Sequence, residues 1–338
     1  MTDRERREFR GPVKTVIWES FDWDSKAGAV NKKPSRREEL TFSREGNLLE
    51  DVLQYQDGPI QRSTHVYDEA GRLRETKWRN GDGTEVSSEV KYDQDGQRIQ
   101  HGASVTYSAE NGHKVKTEVF EAKSPGVDRA FGFGEPSQAS WNISNAALAS
   151  TFYDGIGRPS EIVFYDDEHV QISKLVRKYD ERGRVTSEEQ QIVSPRVFAG
   201  QRDTQGEGMS KDVAQVFARI FSKEGGPMRM TFKYDDQDRV IEQTHEMGLF
   251  GYERTVSFYN EHRDLSKQQH YSTHQGDIPV DEEGNILAPP PVPEKLESET
   301  DFSYEYDNRG NWTRKKTATL HDPESRWESV EKRSIAYY

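Results

Sequence analysis

The chain contains no cysteine among its 338 residues. This excludes disulfides, thiolate catalysis and cysteine-ligated metal sites, and it suits the cytoplasm as well as an exported bacterial protein. Long apolar runs are missing too, since no stretch approaches the roughly 18 apolar residues of a membrane-spanning helix. We therefore predict no membrane insertion. The charged residues 1–10 lack the apolar core of a signal peptide, and we treat them as an N-terminal tail.

Positive charge is also in short supply. Lys and Arg total 47 against 60 Asp and Glu, which gives a net charge of -13. Proteins that bind nucleic acid need a basic face to neutralise phosphates. The nearest candidate, Arg314-Lys315-Lys316, is more typical of a solvated strand edge. We predict no nucleic-acid partner.

Hydrophobic residues make up only 32% of the chain, a low value that together with the charge is typical of disordered proteins. Aromatic residues nevertheless reach 11% and recur at regular positions. This combination favours a folded protein with a thin core, in which each sheet keeps one wet face.

One sequence unit recurs along the chain: an aromatic residue, Asp or a substitute, two variable residues, Gly, one further residue, and usually an apolar one. Phe42, Tyr67 and Tyr92 lie 25 residues apart. Eight copies make internal repetition the main feature of the sequence. The aromatic, acidic and glycine positions that we predict to be structural are Phe42 and Gly46; Tyr67, Asp68 and Gly71; Tyr92, Asp93 and Gly96; Tyr153, Asp154 and Gly157; Tyr179, Asp180 and Gly183; Tyr234 and Asp235; Tyr259; and Tyr306, Asp307 and Gly310.

Each unit predicts a tight turn between two strands. Asp can accept a hydrogen bond from the backbone two residues further on. Gly supplies the positive φ that closes a bulged hairpin. In two copies we take Gly to be replaced by Asp238 and Asp264, because Asp tolerates the left-handed region better than most residues. The Tyr-Asp signature is therefore interpreted as a folding device rather than as eight copies of an active site.

The repeats predict an all-β fold: an antiparallel meander of tandem β-hairpins, open or partly closed, forming a single domain over 11–338. Second turns are expected between the copies, as at Gln56-Asp57-Gly58. Irregular insertions interrupt the period at 123–149, 194–227 and 277–299. The second insertion carries apolar residues at helical spacing, which predicts one short helix at about 210–221.

The copies at Tyr67, Tyr153 and Tyr179 share the core Tyr-Asp-x-x-Gly-Arg, and this core resembles the YD-repeat (Rhs-type) family of bacterial and animal extracellular proteins. The resemblance covers residues 11–338, including the run from Tyr304 to Trp312, and is to the small stand-alone members. It implies a spiralling strip of β-hairpins. In large relatives that strip encloses a toxin polypeptide or forms a receptor ectodomain that binds carbohydrate or protein.

This chain departs from the large relatives. Eight repeats are fewer than a full shell uses, and Asp322-Pro323-Glu324-Ser325 lacks the Gly of the family's self-cleavage signature. Stand-alone members are commonly exported, so the resemblance implies an extracellular or periplasmic location, with the cytoplasm as the alternative.

Three tryptophans, Trp23, Trp78 and Trp141, lie near turns or in an insertion and are our candidates for ligand binding, with core packing as the alternative for each. Trp312 replaces the Leu or Val of other copies and is assigned to the core. His270 and His274 lack a nearby third ligand, and Asp22-Trp23-Asp24 lacks the oxygen pattern of a calcium loop. We predict no metal, no cofactor and no catalytic residue.

The sequence thus favours a non-enzymatic scaffold or binding module that takes carbohydrate or protein at the bacterial envelope or outside the cell. Two alternatives remain open. One is a glycosidase with paired carboxylates at the insertions, and the other is a partner protein of a secretion or toxin system. Exposed aromatic rows would favour sugar binding, and a large apolar patch would favour a protein partner.

Overall fold

The computed structural model describes residues 2–24, 26–56, 58–94, 96, 99, 103–110, 113–120, 130–131, 141–142, 146–198, 215, 228–273, 287, 292–322 and 325–338. These residues contain one short α-helix, α1 (Asp3–Arg6), and two 3-10 turns, Pro195–Phe198 and Gly248–Phe250. Apart from Gln215, which is helical, all other regular structure of these residues is β. The strands are β1 (Val13–Asp24), β2 (Ala29–Val30), β3 (Arg36–Phe42), β4 (Leu48–Tyr55), β5 (Gln61–Tyr67), β6 (Leu73–Arg79), β7 (Glu85–Glu89), β8 (Ala103–Glu110), β9 (His113–Phe120), β10 (Ala130–Phe131), β11 (Trp141–Asn142), β12 (Leu148–Tyr153), β13 (Pro159–Tyr165), β14 (Gln171–Tyr179), β15 (Val185–Ile192), β16 (Met228–Tyr234), β17 (Val240–Met247), β18 (Tyr252–Tyr259), β19 (Leu265–Ser272), β20 (Lys295–Tyr306), β21 (Trp312–Asp322) and β22 (Ser325–Tyr337).

The predicted all-β, antiparallel meander is confirmed. The chain divides into two compact units: unit 1 contains Met1–Arg98, Phe258–Gln269 and Ser298–Tyr338, and unit 2 contains Ile99–Ser257 and His270–Glu297. Short turns join many of the consecutive strands, such as β3 to β4 and β13 to β14, and antiparallel pairing of such neighbours needs only a tight hairpin.

In unit 1 the paired strands run in the order β7–β6–β5–β4–β3–β1–β22–β21–β20, every neighbouring pair antiparallel. Strand β1 lies between β3 and β22, so the first and last long strands of the chain are neighbours. In unit 2 the order is β8–β9–β12–β13–β14–β15–β16–β17–β18, again antiparallel throughout.

The main apolar cluster of unit 1 lies close to the Tyr-Asp turns. Its buried members are Phe9, Val13, Val16, Leu40, Phe42 and Leu48. Phe9 belongs to the segment predicted to be a tail, yet its ring packs edge-on against Phe42 at 5.8 Å between centroids. The next residue, Arg10, exchanges two hydrogen bonds with the side chain of Asn311. Residues 2–10 are thus packed against the sheet, because burying Phe9 and pairing these polar groups both favour docking.

The insertions contain more strand than the sequence analysis predicts. Strand β12 begins at Leu148, within 123–149, and β10 pairs with β11 in the same segment. Strand β20 begins at Lys295, within the predicted loop 277–299. Its first residues are mostly polar, and their stabilising contacts are ionic, such as Lys267 with Glu299 at 2.7 Å. A search for apolar alternation cannot detect such a strand. Except for Gln215, the predicted helix at 210–221 lies outside the described residues.

Candidate functional site

The Tyr-Asp turns share one hydrogen-bonding pattern. In the turn at Asp180, the Oδ1 atom accepts hydrogen bonds from the backbone N–H groups of Arg182 and Arg184 at 3.0 and 2.9 Å. The Oδ2 atom accepts one from the Arg184 guanidinium at 2.7 Å. Gly183 takes the left-handed conformation, with φ of 81°. The same carboxylate-to-arginine arrangement recurs between Asp68 and Arg72, Asp154 and Arg158, and Asp235 and Arg239.

These hydrogen bonds lower the pKa of the turn carboxylates. At Asp68 the backbone N–H of Arg72 is the main cause, and the Arg72 guanidinium adds to it. At Asp180, burial acts in the opposite direction but is outweighed by the Arg184 N–H and side chain, so the pKa again falls. A carboxylate held ionised by its own turn is suited to a structural role and not to proton transfer at neutral pH.

The tyrosines connect successive repeats. The phenol of Tyr92 donates a hydrogen bond to the carbonyl of Leu73 at 2.8 Å, and Tyr179 does the same to Pro159 at 2.7 Å. The arginine of the preceding turn lies over the ring of the next tyrosine. Such contacts join Arg72 to Tyr92, Arg158 to Tyr179, Arg184 to Tyr234 and Arg309 to Tyr337. No role for these arginines was predicted from the sequence, although the Gly-Arg dipeptide in three copies was the available signal.

One detail of the repeat prediction is wrong. Asp238 has a positive φ of 64°, as predicted, but in the copy at Tyr259 the left-handed residue is Arg263, with φ of 72°, and not Asp264. Asn260 occupies the Asp position there, since its Oδ1 accepts hydrogen bonds from the N–H groups two and four residues further on. Asp264 therefore stands where other copies have Arg, and it accepts a hydrogen bond from Tyr306.

The structure does not bring the tryptophan candidates together. Trp23 pairs with Val30 in the hairpin of β1 and β2, while Trp78 lies on β6 opposite Ser63 and Val86. The two lie on opposite faces of the unit 1 sheet, because side chains alternate along a strand and directly opposed residues share a face. Trp141 pairs with Phe131 through the backbone, and its side chain lies outside the described part of the chain.

A second set of residues, not predicted from the sequence, lies on one face of unit 1, which we call the Trp18 face. Pairing opposes Trp18 to Glu38 and Arg333. The register continues across the sheet to further members of the face, which include Arg36, Tyr55, Leu40, Asp51, Ser63, His65, Thr76 and Trp78.

Five buried polar atoms in the described residues have no hydrogen-bond partner, and all five belong to the Trp18 face. They are Trp18 Nε1, Arg36 Nε, Asp51 Oδ1, His65 Nε2 and Arg333 Nε. Buried polar groups in folded proteins almost always have a partner, so each exception calls for an explanation by water, ion or ligand. All five atoms are shielded from solvent, so this face carries more polar groups than its own contacts satisfy.

The environment of the Trp18 face shifts the pKa of its titratable groups. Burial, and then the nearby charge of Glu38, raise the pKa of Asp51. Burial lowers the pKa of His65, and it lowers the pKa of Arg333 to about 10. Glu38 itself is deeply buried and accepts hydrogen bonds from the guanidinium groups of Arg7, at 3.3 Å, and Arg36.

The same face exposes aromatic rings where the strands lie farthest from the Tyr-Asp turns. Tyr55, Trp78 and Trp327 are 55%, 40% and 42% exposed. Trp327 shares the face because it lies six residues before Arg333 on β22, and an even spacing along a strand keeps side chains on one side. Polar groups that lack partners are thus combined with accessible aromatic rings.

The histidines and the segment Asp22-Trp23-Asp24, which the sequence offered as metal-binding candidates, do not form a metal site in the described residues. The His270 ring hydrogen-bonds to Thr255 at 3.3 Å, and His274 lies outside the described residues. Asp24 accepts hydrogen bonds from the N–H groups of Lys26 and Ala27, which is a turn and not a calcium loop. Within the described ranges, no group of three or more His, Asp or Glu side chains is placed to hold a metal ion. In that same part of the chain, no helix is both long and apolar enough to cross a membrane.

No protein-family model matches the chain, and no curated protein matches it. Two similar solved structures are a porin-like protein from Bacteroides uniformis and a domain described as an outer membrane lipoprotein-sorting protein domain from Vibrio parahaemolyticus. The first is 8% identical, with a TM-score of 0.26, and the match covers 97% of this chain and 98% of that chain. The second is 12% identical, with a TM-score of 0.19, and covers 56% of this chain and 83% of that chain.

Proposed function

We propose that this chain is a non-enzymatic binding module of YD-repeat type, which holds a carbohydrate on the Trp18 face of unit 1. The observation that carries the proposal is the group of exposed aromatic rings on that one face, Tyr55, Trp78 and Trp327. Sugars also present many hydroxyl groups that donate and accept hydrogen bonds, and the polar residues Arg36, Asp51 and Ser63 lie on the same face.

Exposed aromatic rings support the same ligand class. Sugar rings have apolar faces that stack on indole and phenol rings, and Trp78 and Tyr55 are accessible on the proposed face. The resemblance of the Tyr-Asp repeats supports a scaffold role. It also supports a location at the bacterial envelope or outside the cell, which fractionation of the source organism would test.

The binding test compares two tryptophans on opposite faces. Purified protein is screened on an array of neutral and acidic oligosaccharides, and hits are measured by calorimetry. We expect Trp78→Ala to weaken binding at least tenfold, because it removes an exposed stacking surface. The matched variant Trp23→Ala, which alters the opposite face, should bind within about twofold of the unmodified protein. Absence of binding to any glycan, or equal loss in both variants, would contradict the proposal.

A protein partner is the second candidate. Ile60 and Val86 are more than half exposed near Trp78 and Tyr55, and exposed apolar clusters are typical of protein-binding surfaces. A partner in a secretion or toxin system would use this surface. If Val86→Asp abolished a defined protein complex while glycan binding was absent, this second function would replace the first.

The two carboxylates that a glycosidase could use on the Trp18 face are Asp51 and Glu38. Asp51 has the raised pKa that a general acid needs, but both oxygens of Glu38 are already engaged by arginines. We therefore place binding ahead of hydrolysis. Release of reducing ends by the purified protein, lost in Asp51→Asn, would reverse this order.

A further inference from the structure

A cavity of about 720 Å³ lies in unit 1, lined by the β1–β2 hairpin, by the loop that leads from β2 to β3, and by the residue that follows β4. Its lining includes Val30, Asn31, Lys32, Lys33, Pro34 and Gln56. A cavity of this size is in the range of small-molecule binding sites. The loop residues Asn31, Lys32 and Lys33 are exposed, so a dissolved ligand has access to it.

Lys32 and Lys33 bring two unpaired positive charges to this cavity. The chain bends at both residues, which places sequence neighbours on one cavity wall. In the described part of the chain, neither lysine forms an ion pair or a hydrogen bond. The run Arg314-Lys315-Lys316 is different, because each of its members pairs with a glutamate at 2.8–3.0 Å. The cavity is thus lined by cations whose charge is available to a ligand.

Asp24 is the one carboxylate among the described lining residues, and it is engaged by its own turn. Its Oδ1 accepts hydrogen bonds from the backbone N–H groups of Lys26 and Ala27 at 2.9 and 3.1 Å. Residues 22–37 contain five Lys and Arg against two Asp, although the whole chain has a net charge of -13. Glutamates pair with both arginines of this segment, so its unpaired positive charge lies on the lysines.

Backbone hydrogen bonds fix both ends of the loop that carries the lysines. The N–H groups of Asn31 and Ser35 donate to the carbonyls of Asp22 and Ser20, each at 2.8 Å. Pro34 has a fixed φ and restricts the conformation of the residue before it. A loop held in this way loses little conformational freedom when a ligand binds.

We propose that this cavity is a binding site for small phosphomonoesters. The lysine ammonium is a compact point charge that commonly binds phosphate, and two lysines match the charge of about -1.5 to -2 that a phosphomonoester carries at neutral pH. Val30 and Pro34 supply apolar surface for the organic part of the ligand. The site goes beyond the proposed carbohydrate binding, since none of the residues assigned to the Trp18 face lines the cavity.

Calorimetry on the full chain tests the site with three phosphomonoesters that are not sugars: glycerol 3-phosphate, phosphoserine and phenyl phosphate. We expect at least one of them to bind at least tenfold more tightly than its dephosphorylated form and than inorganic phosphate. Binding should weaken several-fold from pH 8 to pH 5. Over this range the phosphate loses its second charge, at a pKa of about 6, while lysine stays protonated.

Variants identify the residues responsible. Lys32→Gln and Lys33→Gln each remove one charge but keep a long polar side chain, and the double variant should weaken binding at least tenfold. The matched control is Lys178→Gln, which changes an exposed lysine of unit 2 that forms no ion pair with described residues. Its binding should equal that of the unmodified protein. Thermal unfolding of each variant shows whether it is folded.

Three results would overturn the inference. One is that no phosphomonoester binds at millimolar concentration, or that the folded double variant binds as well as the unmodified protein. Another is equal weakening by Lys178→Gln, which would show general charge attraction only. The third is that inorganic phosphate binds as tightly as the esters, which would exclude recognition of an organic part. Because no probe is a sugar, each of these results leaves the carbohydrate proposal standing.

Discussion

The phenol of Tyr92 donates a hydrogen bond of 2.8 Å to the carbonyl of Leu73, the residue that follows the preceding Tyr-Asp turn. The guanidinium of Arg72, from that same turn, lies 5.1 Å from the centroid of the Tyr92 ring. Tyr179 and Tyr234 are attached to the preceding hairpin in the same way, each by a hydrogen bond to a backbone carbonyl and a cation–π contact with an arginine of the preceding turn. The Tyr-Asp pair therefore stabilises two levels of structure, the turn itself and the contact between neighbouring hairpins.

The first prediction concerns that hydrogen bond. Tyr92→Phe removes only the hydroxyl, and we expect the free energy of unfolding to fall by about 1 kcal/mol, the usual net value of an intramolecular hydrogen bond. Urea denaturation measures it. The control is Tyr55→Phe, an exposed phenol with no hydrogen bond to described residues, which should leave stability unchanged. Equal effects in the two variants would contradict a role for the hydroxyl.

The second prediction concerns two glycines of one turn. Gly157 has a φ of 83°, whereas Gly155 is outside the left-handed region, and a Cβ at either position would meet no atom within 4 Å. Gly157→Ala should destabilise the protein by about 1–2 kcal/mol through backbone strain alone. Gly155→Ala should cost a few tenths at most. Thermal or urea unfolding of both variants provides the comparison, and similar losses would show that conformation at Gly157 is not the cause.

The third prediction concerns acid stability. The pKa values of Asp68, Asp154, Asp180 and Asp235 lie below the ordinary value. A lowered folded-state pKa contributes stability that is present above the unfolded-state pKa of about 3.9 and is lost as pH falls through the folded-state pKa. We expect the unfolding temperature to fall from pH 5 towards pH 2.5, and to fall less steeply in a variant with all four residues changed to Asn.

Asp51 serves as the control, because its pKa is raised and its effect on the pH dependence of stability has the opposite sign. Burial and Glu38 raise its pKa, so its ionised form is penalised in the folded protein. Asp51→Asn should therefore raise the unfolding temperature at pH 7 and have little effect below pH 3. A loss of stability at pH 7 would show that Asp51 is stabilised by a contact we have not assigned.

The fourth prediction concerns a buried ion pair in unit 2. Arg177 and Glu188 lie opposite each other on β14 and β15, almost fully buried, with 2.5 Å between Arg177 Nη2 and Glu188 Oε1. Glu188→Ala removes the carboxylate that faces a buried cation and should cost about 3–5 kcal/mol. The double variant Arg177→Met with Glu188→Leu should recover much of this loss.

The matched control is the exposed pair Arg314 and Glu305, at 2.8 Å. Glu305→Ala should cost less than about 1 kcal/mol, since water screens exposed pairs. Chemical denaturation of all three variants measures the differences. If Glu188→Ala were as mild as Glu305→Ala, the buried pair would not be needed for stability.

Individual turn residues show which features could be predicted from the sequence. The turns at Asp68 and Asp180 were predictable because their geometry is local: Asp reaches its own backbone, and Gly adopts a positive φ whatever the rest of the fold does. The same local rule located Asp238. The rule failed in the copy at Tyr259. Asp264 was predicted to be the left-handed residue because Asp adopts that conformation readily, but Arg263 occupies the position that Gly has in other copies.

The Trp18 face could not be predicted. Trp18 lies near the start of the chain and Arg333 near its end, and only the pairing of β1 with β22 makes them neighbours. Arg36, Asp51 and His65 each look like ordinary polar residues of half-wet strands, and nothing local indicates that one of their atoms is buried without a partner.

The sequence by itself determined the repeat, the turns and the all-β class, because these depend on conformational preferences within a few residues. Tertiary structure alone decided which side chains share a face, that Phe9 and Arg10 pack against the sheet, and that Arg333 lies among three aromatic rings. The physical reason is strand register: it brings together residues that are hundreds of positions apart, and a shift by one residue would move every side chain of a strand to the other face.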